Sequence, residues 1–354
     1  MQINSNYAKM LQSPVRDCIL RHDNRDKNKF QADGMGVLKM EGDKYALYLR
    51  NYNNLTHGLT ISAQKLLDVC VWGLTEQNTR GETDPNEINT VVEFSLRDYM
   101  KYCNIPPTES SLDKTRRNVK NDIETLMNLL IDFRDTGIKT KHNLTELCRV
   151  IGYSQIKNSK ITVTFIPQLA IHLLNAYITY YPLKLLQVDG HDDYAFYIGR
   201  QYFLHRSIRR NQAKGTADIL SVKTLLNLIP NIPTEAQLKT TNDRHYLRRI
   251  KDPFETSMDK LADLDIFKWR YCKRKKQPLT SEDLTRDGQF YIELMSDTEA
   301  SEDITIQSRD IDFKSFMDAY ILFEPTDYPM QPAKPARKRV KRLKQEAIQL
   351  SLSS

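Results

Sequence analysis

Apolar residues recur at helical spacing in two stretches of the chain, and both stretches follow the same order of elements. The first runs from Thr90 to Arg134 and the second from Ala217 to Arg270. Each has a serine before a short apolar helix, an Asn-Ile-Pro turn, a longer amphipathic helix and then strand-like residues. This repetition predicts two copies of one module, a helix-turn-helix followed by a β-wing.

The predicted fold is therefore α+β, with two tandem winged-helix domains related by pseudo-duplication. Turn chemistry at Asn158-Ser159 predicts the tip of the first wing. The second wing is predicted from the strand-like runs Ile266 to Cys272 and Phe290 to Leu294. The predicted parts of the chain are an N-terminal arm and hairpin (1–54), winged-helix domain 1 (55–185), winged-helix domain 2 (186–296), and an acidic linker, short helix and basic tail (297–354).

Smaller elements are predicted from the same patterns. Two runs, Val37 to Met40 and Tyr45 to Leu49, predict a hairpin, and Thr60-Ile-Ser62 predicts the start of a helix that ends before Gln77. Near the C-terminus, the apolar residues from Phe313 to Phe323 predict one more short helix.

The composition is that of an ordinary globular protein, with 40% hydrophobic and 27% charged residues in a chain of 354. The five cysteines are dispersed and never form a Cys-x-x-Cys pair, so we expect reduced thiols in a cytoplasmic protein and no zinc site. The segment Ile161 to Leu183 has no charged residue, but its prolines and its alternating start predict a buried strand and helix. A membrane partner is therefore not expected.

The net charge of +7 is concentrated near the C-terminus. A run of seven basic residues without an acid, which we call the basic tail, fits either contact with a polyanion or a solvated chain end. It consists of Lys334, Arg337, Lys338, Arg339, Lys341, Arg342 and Lys344.

The first long helix has two chemically different faces. Its predicted apolar face consists of Leu112, Val119, Ile123, Leu126 and Leu130, and the opposite face has Lys114, Arg117, Asn118 and Asn121. Arginine and lysine can bond guanine, and asparagine can bond adenine, in the major groove. A charged outer face is also typical of any solvated helix, but its position after a helix-turn favours DNA contact.

The second long helix has a comparable division and one irregularity. Its predicted apolar face is Leu247, Ile250, Phe254, Met258 and Leu261, and the outward set is Thr241, His245, Arg248 and Arg249. Pro253 predicts either a fresh helix capped by Asp252 or a kink. Further DNA-contact candidates lie in the predicted wing loops and the basic tail, namely Lys139, Lys141, Lys273, Arg274, Lys275, Lys276, Lys338 and Arg339.

Catalytic motifs are lacking. The sequence has no His-x-His pair of the kind that nicking initiators use with a tyrosine nucleophile, and no phosphate-binding Gly-x-x-x-x-Gly-Lys loop. We therefore expect no catalytic residue, no metal and no cofactor, and a protein that is not an enzyme.

The run from Leu247 to Leu261, followed by Phe267-Lys-Trp-Arg-Tyr271, resembles the recognition helix and first wing strand of plasmid-type replication initiators of the tandem winged-helix class. The resemblance covers about residues 55 to 295. It implies a protein that binds double-stranded DNA at repeated origin sequences as a monomer and represses its own gene as a homodimer. It also implies recruitment of the host helicase or host initiator proteins, without catalysis.

Three other functions fit the same residues. A transcriptional regulator with this fold is the main alternative. A DNA-nicking initiator and a protein that uses winged helices to bind other proteins are the remaining two.

Overall fold

The fold is given by a computed structural model that describes residues 1–4, 7, 30–32, 38–41, 46–50, 59–79, 88–132, 147–174, 177–188, 193–229, 232–287, 289, 311–326 and 334–335. The chain divides into two compact units. Unit 1 comprises Met1–Gly190 and Pro332–Ser354, and unit 2 comprises His191–Gln331.

The described strands and helices are numbered in chain order. The strands are β1 (Gln2–Asn4), β2 (Phe30–Ala32), β3 (Leu38–Glu41), β4 (Ala46–Leu49), β5 (Val91–Ser95), β6 (Leu129–Asp132), β7 (Leu147–Arg149), β8 (Ile151–Lys157), β9 (Lys160–Phe165), β10 (Tyr177–Tyr180), β11 (Ile219–Ser221), β12 (Phe267–Cys272), β13 (Tyr320–Pro325) and β14 (Lys334–Pro335). The α-helices are α1 (Ile61–Thr79), α2 (Leu96–Tyr102), α3 (Glu109–Met127), α4 (Pro167–Leu174), α5 (Asp193–Ser207), α6 (Arg209–Ala213), α7 (Val222–Leu226), α8 (Glu235–Thr240), α9 (Asp252–Asp263) and α10 (Phe313–Asp318).

Helix α1 is the centre of unit 1. It is apolar on most sides and packs against α3, α4, β1 and β5. A Cβ atom at Gly73 would lie 2.5 Å from Cγ1 of Val92, so only glycine allows β5 to approach the helix this closely. The helix begins where predicted but continues past Gln77, because the Asn78 amide donates to the carbonyl of Leu74 and supports the last turn.

The strands of unit 1 form three antiparallel sheets, of order β5-β9-β8, β2-β3-β4-β6-β7 and β1-β10-β14. The predicted hairpin of β3 and β4 is confirmed. Leu130, predicted on the apolar face of the first long helix, lies instead in β6, because the helix ends at Met127 and the chain turns into the sheet at Asn128. The side chain of Leu130 is still buried.

The uncharged segment from Ile161 to Leu183 contains the predicted strand and helix, as β9 and α4, and then a further strand, β10, that the sequence pattern does not predict. Among the described residues, no helix is both long and apolar enough to cross a membrane.

Unit 2 is built on the antiparallel sheet β11-β13-β12. An aromatic cluster covers this sheet, in which the ring of Tyr202 stacks on Phe323 with centroids 4.3 Å apart and Phe267 meets Phe323 edge-on at 4.8 Å. Phe316 of α10 packs edge-on against Phe254 of α9, at 5.7 Å. Helix α10 therefore belongs to the core of unit 2.

The prediction of one helix from Phe313 to Phe323 is wrong in its second half. The helix ends at Asp318, and residues 320–325 form β13, the central strand of the unit 2 sheet. The buried side chains of Ile321 and Phe323 explain the difference, since β-branched and aromatic residues pack well on a pleated sheet. The predicted wing partner of β12, residues 290–294, lies outside the described residues.

Replacing Phe316 by alanine tests whether residues 311–326 belong to the core of unit 2. Loss of a fully buried phenylalanine costs about 3–5 kcal/mol, so we expect much faster amide hydrogen exchange across α9 and β12. The control Lys314→Ala, an exposed position on the same helix, should change the exchange little. Equal and small effects of both changes would show that residues 311–326 lie outside the core.

Candidate nucleic-acid interface

The helix-turn-helix of unit 1 is defined by local hydrogen bonds. Ser95 and Asp98 form a capping box, in which the Asp98 N–H donates to Ser95 Oγ at 3.0 Å and the Ser95 N–H to Asp98 Oδ2 at 3.2 Å. Asn104, at φ 54°, lies in the left-handed region and ends α2. Thr108 then caps α3 by accepting from the N–H of Ser111.

Helix α3 has the two faces that the sequence predicts. Val119, Ile123 and Leu126 are buried, and Leu112 is half-buried at the N-terminal end. The predicted DNA-contact residues lie together on the other side, with Lys114, Arg117 and Asn118 exposed and Asn121 half-buried. Within the described part of the chain, these four side chains form no ion pair or hydrogen bond, so their polar groups face solvent.

A buried carboxylate fixes α3 against α1. Asp122 is 2% exposed, and it accepts hydrogen bonds from Thr60 Oγ1 at 3.2 Å and from Ser62 Oγ. Thr60 also caps α1 by accepting from the N–H of Ala63, so the carboxylate lies at the N-terminal end of that helix. Because Asp122 follows Asn121 directly, this contact also sets the direction of the outward face of α3.

The wing of unit 1 is the hairpin of β8 and β9. Its turn residues Asn158 and Ser159 have φ of 49° and 62°, as in a type I′ turn, which confirms the predicted tip. The tip lies beside the helix-turn-helix, because Ser159 accepts the N–H of Leu96 at 2.7 Å and its hydroxyl lies 3.4 Å from Nη2 of Arg116. Helix α3 and the wing therefore form one continuous surface.

Charges around this surface are partly compensated. Lys160 bonds Glu93 at 2.7 Å, and this bond holds the pKa of the Glu93 carboxyl below its usual value. Arg116 pairs with Asp113 at 2.7 Å. Lys120 and Lys157 are exposed and have no ion pair among the described residues. The sequence reading missed Arg116, Lys120 and Lys157, although lysines flanking an Asn-Ser turn are a usable signal for a basic wing tip.

Unit 2 follows the order of the predicted second module with an additional break. A short helix, α8, comes after the Asn-Ile-Pro sequence and ends at Thr240, and Asn242 just beyond it has a φ of 57°, in the left-handed region. Thr241, a predicted DNA contact, instead bonds through Oγ1 to the carbonyls of Gln237 and Leu238 at the end of α8. His245 is exposed just before the long helix, and its N–H donates to Asp243.

Pro253 does not begin a fresh helix capped by Asp252. Residues Leu247–Lys251 form a π-helical turn that runs directly into α9, and the N–H of Asp252 donates to the carbonyl of Leu247. Asp252 itself has helical dihedrals, φ −60° and ψ −45°, so it is not an N-cap. A proline in a regular helix clashes with the carbonyl four residues earlier, here that of Arg249, and the wider π-turn relieves that clash.

The π-turn changes which side chains face outward. Ile250, Phe254, Met258 and Leu261 are buried as predicted, but the prediction that Leu247 is in the core is wrong. Leu247 is 39% exposed, and Arg248 and Arg249 beside it are also exposed. Arg249 has a loose ion pair with Asp243 at 3.4 Å.

A buried ionic cluster anchors the π-turn to the sheet. Lys251 and Glu255 are 3% and 4% exposed, their charged atoms lie 3.3 Å apart, and Tyr271 of β12 donates to Glu255 at 2.9 Å. Burial raises the pKa of Glu255, and Lys251 and Tyr271 oppose that rise. The cluster connects the basic segment to β12.

The loop after β12 has four consecutive basic residues. Lys273 bonds Asp283 at 3.0 Å and is held in the loop, whereas Arg274, Lys275 and Lys276 are exposed. The predicted contacts Lys139, Lys141, Lys338 and Arg339 lie outside the described residues. Within the residues that the structure describes, no cluster of three or more His, Cys, Asp or Glu side chains is placed to hold a metal ion.

Residues 49–189 match a protein-family model described as Initiator Replication protein, WH1. This part of the chain is similar to the WH1 domain of replication initiators and is named the WH1 domain after that match. The resemblance to replication initiators seen in the sequence is thereby confirmed, and the helix-turn-helix and wing described above belong to the WH1 domain. The match ends before unit 2 begins.

Similarity to other proteins is limited. A crystal structure of domains 2 and 3 of RctB aligns with 85% of this chain and 92% of that chain, at 8% sequence identity and a TM-score of 0.40. No curated protein matches the chain.

The role of Asp122 in the WH1 domain can be measured directly. Asp122→Ala leaves the Thr60 and Ser62 hydroxyls without their acceptor, so we expect the free energy of unfolding to fall by about 1–3 kcal/mol. Asp113→Ala is the matched control, because it removes an exposed aspartate from the same helix and should cost less than about 1 kcal/mol. Urea denaturation followed by circular dichroism compares the two. Equal costs would contradict the proposed anchoring of α3.

Proposed function

We propose that this chain is a replication initiator that binds repeated sequences in the origin of a plasmid or other mobile element. The observation that supports this most directly is the WH1 match across a helix-turn-helix whose outward face holds two cations and two amides. Helices in this position enter the major groove in winged-helix proteins, and these side chains can hydrogen-bond base edges.

Unit 2 is proposed to be a second winged-helix domain, related to the WH1 domain by duplication. Both units place a strand, a short helix capped by a serine, a turn and a longer helix in the same order. In unit 1, β8 and β9 follow the longer helix and form an antiparallel sheet with β5, the strand before the capped helix. In unit 2, β12 follows the longer helix and lies in one antiparallel sheet with β11, the strand before the capped helix. The outward residues Arg248 and Arg249 and the loop residues Arg274, Lys275 and Lys276 would then contact DNA.

The proposed protein does not catalyse a reaction. It acts by binding the origin, by bending it and by recruiting host helicase or initiator proteins, and it forms a homodimer when it represses its own gene. These steps rest on the resemblance to the initiator family. A covalent tyrosine adduct on supercoiled origin DNA in the presence of magnesium would favour the nicking alternative instead.

A footprint on the DNA around the protein's own gene tests the function. We expect protection of direct repeats about one or two helical turns apart, beside an AT-rich stretch that opens easily. Protected repeats without that stretch would favour a transcriptional regulator, and absence of any protection would contradict sequence-specific DNA binding.

Substitutions on the two long helices test which side chains distinguish bases. Arg117→Ala, Asn121→Ala and Arg248→Ala should each weaken binding to the repeat by about 1–3 kcal/mol more than binding to random DNA, because each removes a base contact. Competition binding on single-base variants of the repeat would show a different affected base for each change.

Neutralising Lys338, Arg339, Lys341 and Arg342 in the basic tail provides the contrast. Phosphate contacts have no sequence preference, so this variant should lose specific and random binding alike, and its salt slope should flatten by about 0.9 per lost contact. If the helix variants behaved in the same way as the tail variant, their side chains would not contact bases.

A further inference from the structure

Leu247 is an apolar side chain exposed in the middle of a basic segment. It lies beside Arg248 and Arg249, and all three are exposed, whereas the next two residues along the chain are buried. Ile208, another large exposed apolar residue of unit 2, lies in a different segment, between α5 and α6. Ile208 likewise precedes two exposed arginines, Arg209 and Arg210, so the feature that distinguishes Leu247 is its position in the turn that leads into the long helix of unit 2.

The backbone conformation causes the exposure of Leu247. Counted back from the buried residues Phe254 and Met258, a regular α-helix would turn Leu247 toward the core. The π-turn contains one additional residue per turn, which rotates the preceding residues by about 100° relative to α9. Tyr246 takes the inner position instead, and its ring stacks on Phe313 with centroids 5.1 Å apart. Pro253 maintains this arrangement, because its ring excludes the regular turn.

We propose that Leu247 contacts the C5-methyl group of a thymine in the major groove, next to the bases that Arg248 and Arg249 approach. This inference rests on the proposed function of unit 2 as a DNA-binding domain. The thymine methyl is the one apolar group on the base edges of the major groove, and apolar side chains recognise it by excluding water. A leucine beside these arginines thus adds a preference for thymine to contacts that the arginines make with hydrogen-bond acceptors.

The test removes the methyl group without changing any hydrogen-bonding group. The probe is a short duplex with the sequence that the full-length protein selects from a random pool, in which each thymine is replaced in turn by deoxyuridine. Wild type should lose about fourfold in affinity at one position, equivalent to about 0.8 kcal/mol for one buried methyl group. Leu247→Ala should bind both duplexes equally at that position.

Ile208→Ala is the matched control, since it truncates an exposed apolar side chain of unit 2 that lies outside the π-turn of Leu247–Lys251. It should retain the fourfold loss of wild type. The proposal is overturned if Leu247→Ala shows the same deoxyuridine penalties as wild type, or if wild type shows none at any position. In both cases preference for the selected duplex over random DNA would persist, whereas failure of the proposed function would abolish that preference.

Discussion

The carboxylate of Asp122 fixes the geometry of the WH1 surface. A buried charge is costly unless it is hydrogen-bonded, and Asp122 accepts hydrogen bonds from Thr60 and Ser62 at the start of α1. The requirement fixes both the rotation and the axial position of α3. The neighbouring Asn121 and the outward cations are thereby held in one orientation before any ligand is present, which lowers the entropic cost of binding.

In unit 2, different contacts fix the position of the long helix. Its long helix is held by an ion pair between Lys251 and Glu255 and by the hydroxyl of Tyr271, all within the core. Removal of either Lys251 or Glu255 would leave the other as an uncompensated buried charge, so this pair tolerates few changes. The proline that follows gives the helix a fixed irregularity. The two units thus hold their basic residues in place by different kinds of buried contact.

Features fixed by local chemistry could be predicted from the sequence, and features fixed by distant contacts could not. The cap at Ser95 and the turn at Asn158-Ser159 depend only on neighbouring residues, and both are confirmed. The exposure of Leu247 depends on how Pro253 alters the turn before it, so simple periodicity placed it wrongly. Strand β13 pairs with β12 and β11, which lie roughly fifty and a hundred residues earlier in the sequence. A pattern read within a short window cannot detect partners at that separation. The burial of Asp122 and Glu255 could not be predicted, because it depends on tertiary packing and not on neighbouring residues in the sequence.

The pairing of β10 with both β1 and β14 makes unit 2 an insertion within unit 1. The last strand of that sheet comes from residues that follow the whole of unit 2, so β10 keeps an open edge until synthesis of the chain has passed residue 335. A nonsense mutation after unit 2 would therefore remove a strand from unit 1 and leave unit 2 complete. Lys334, the first residue of the basic tail, pairs with Ile178 of β10 in unit 1, although it follows unit 2 in the sequence.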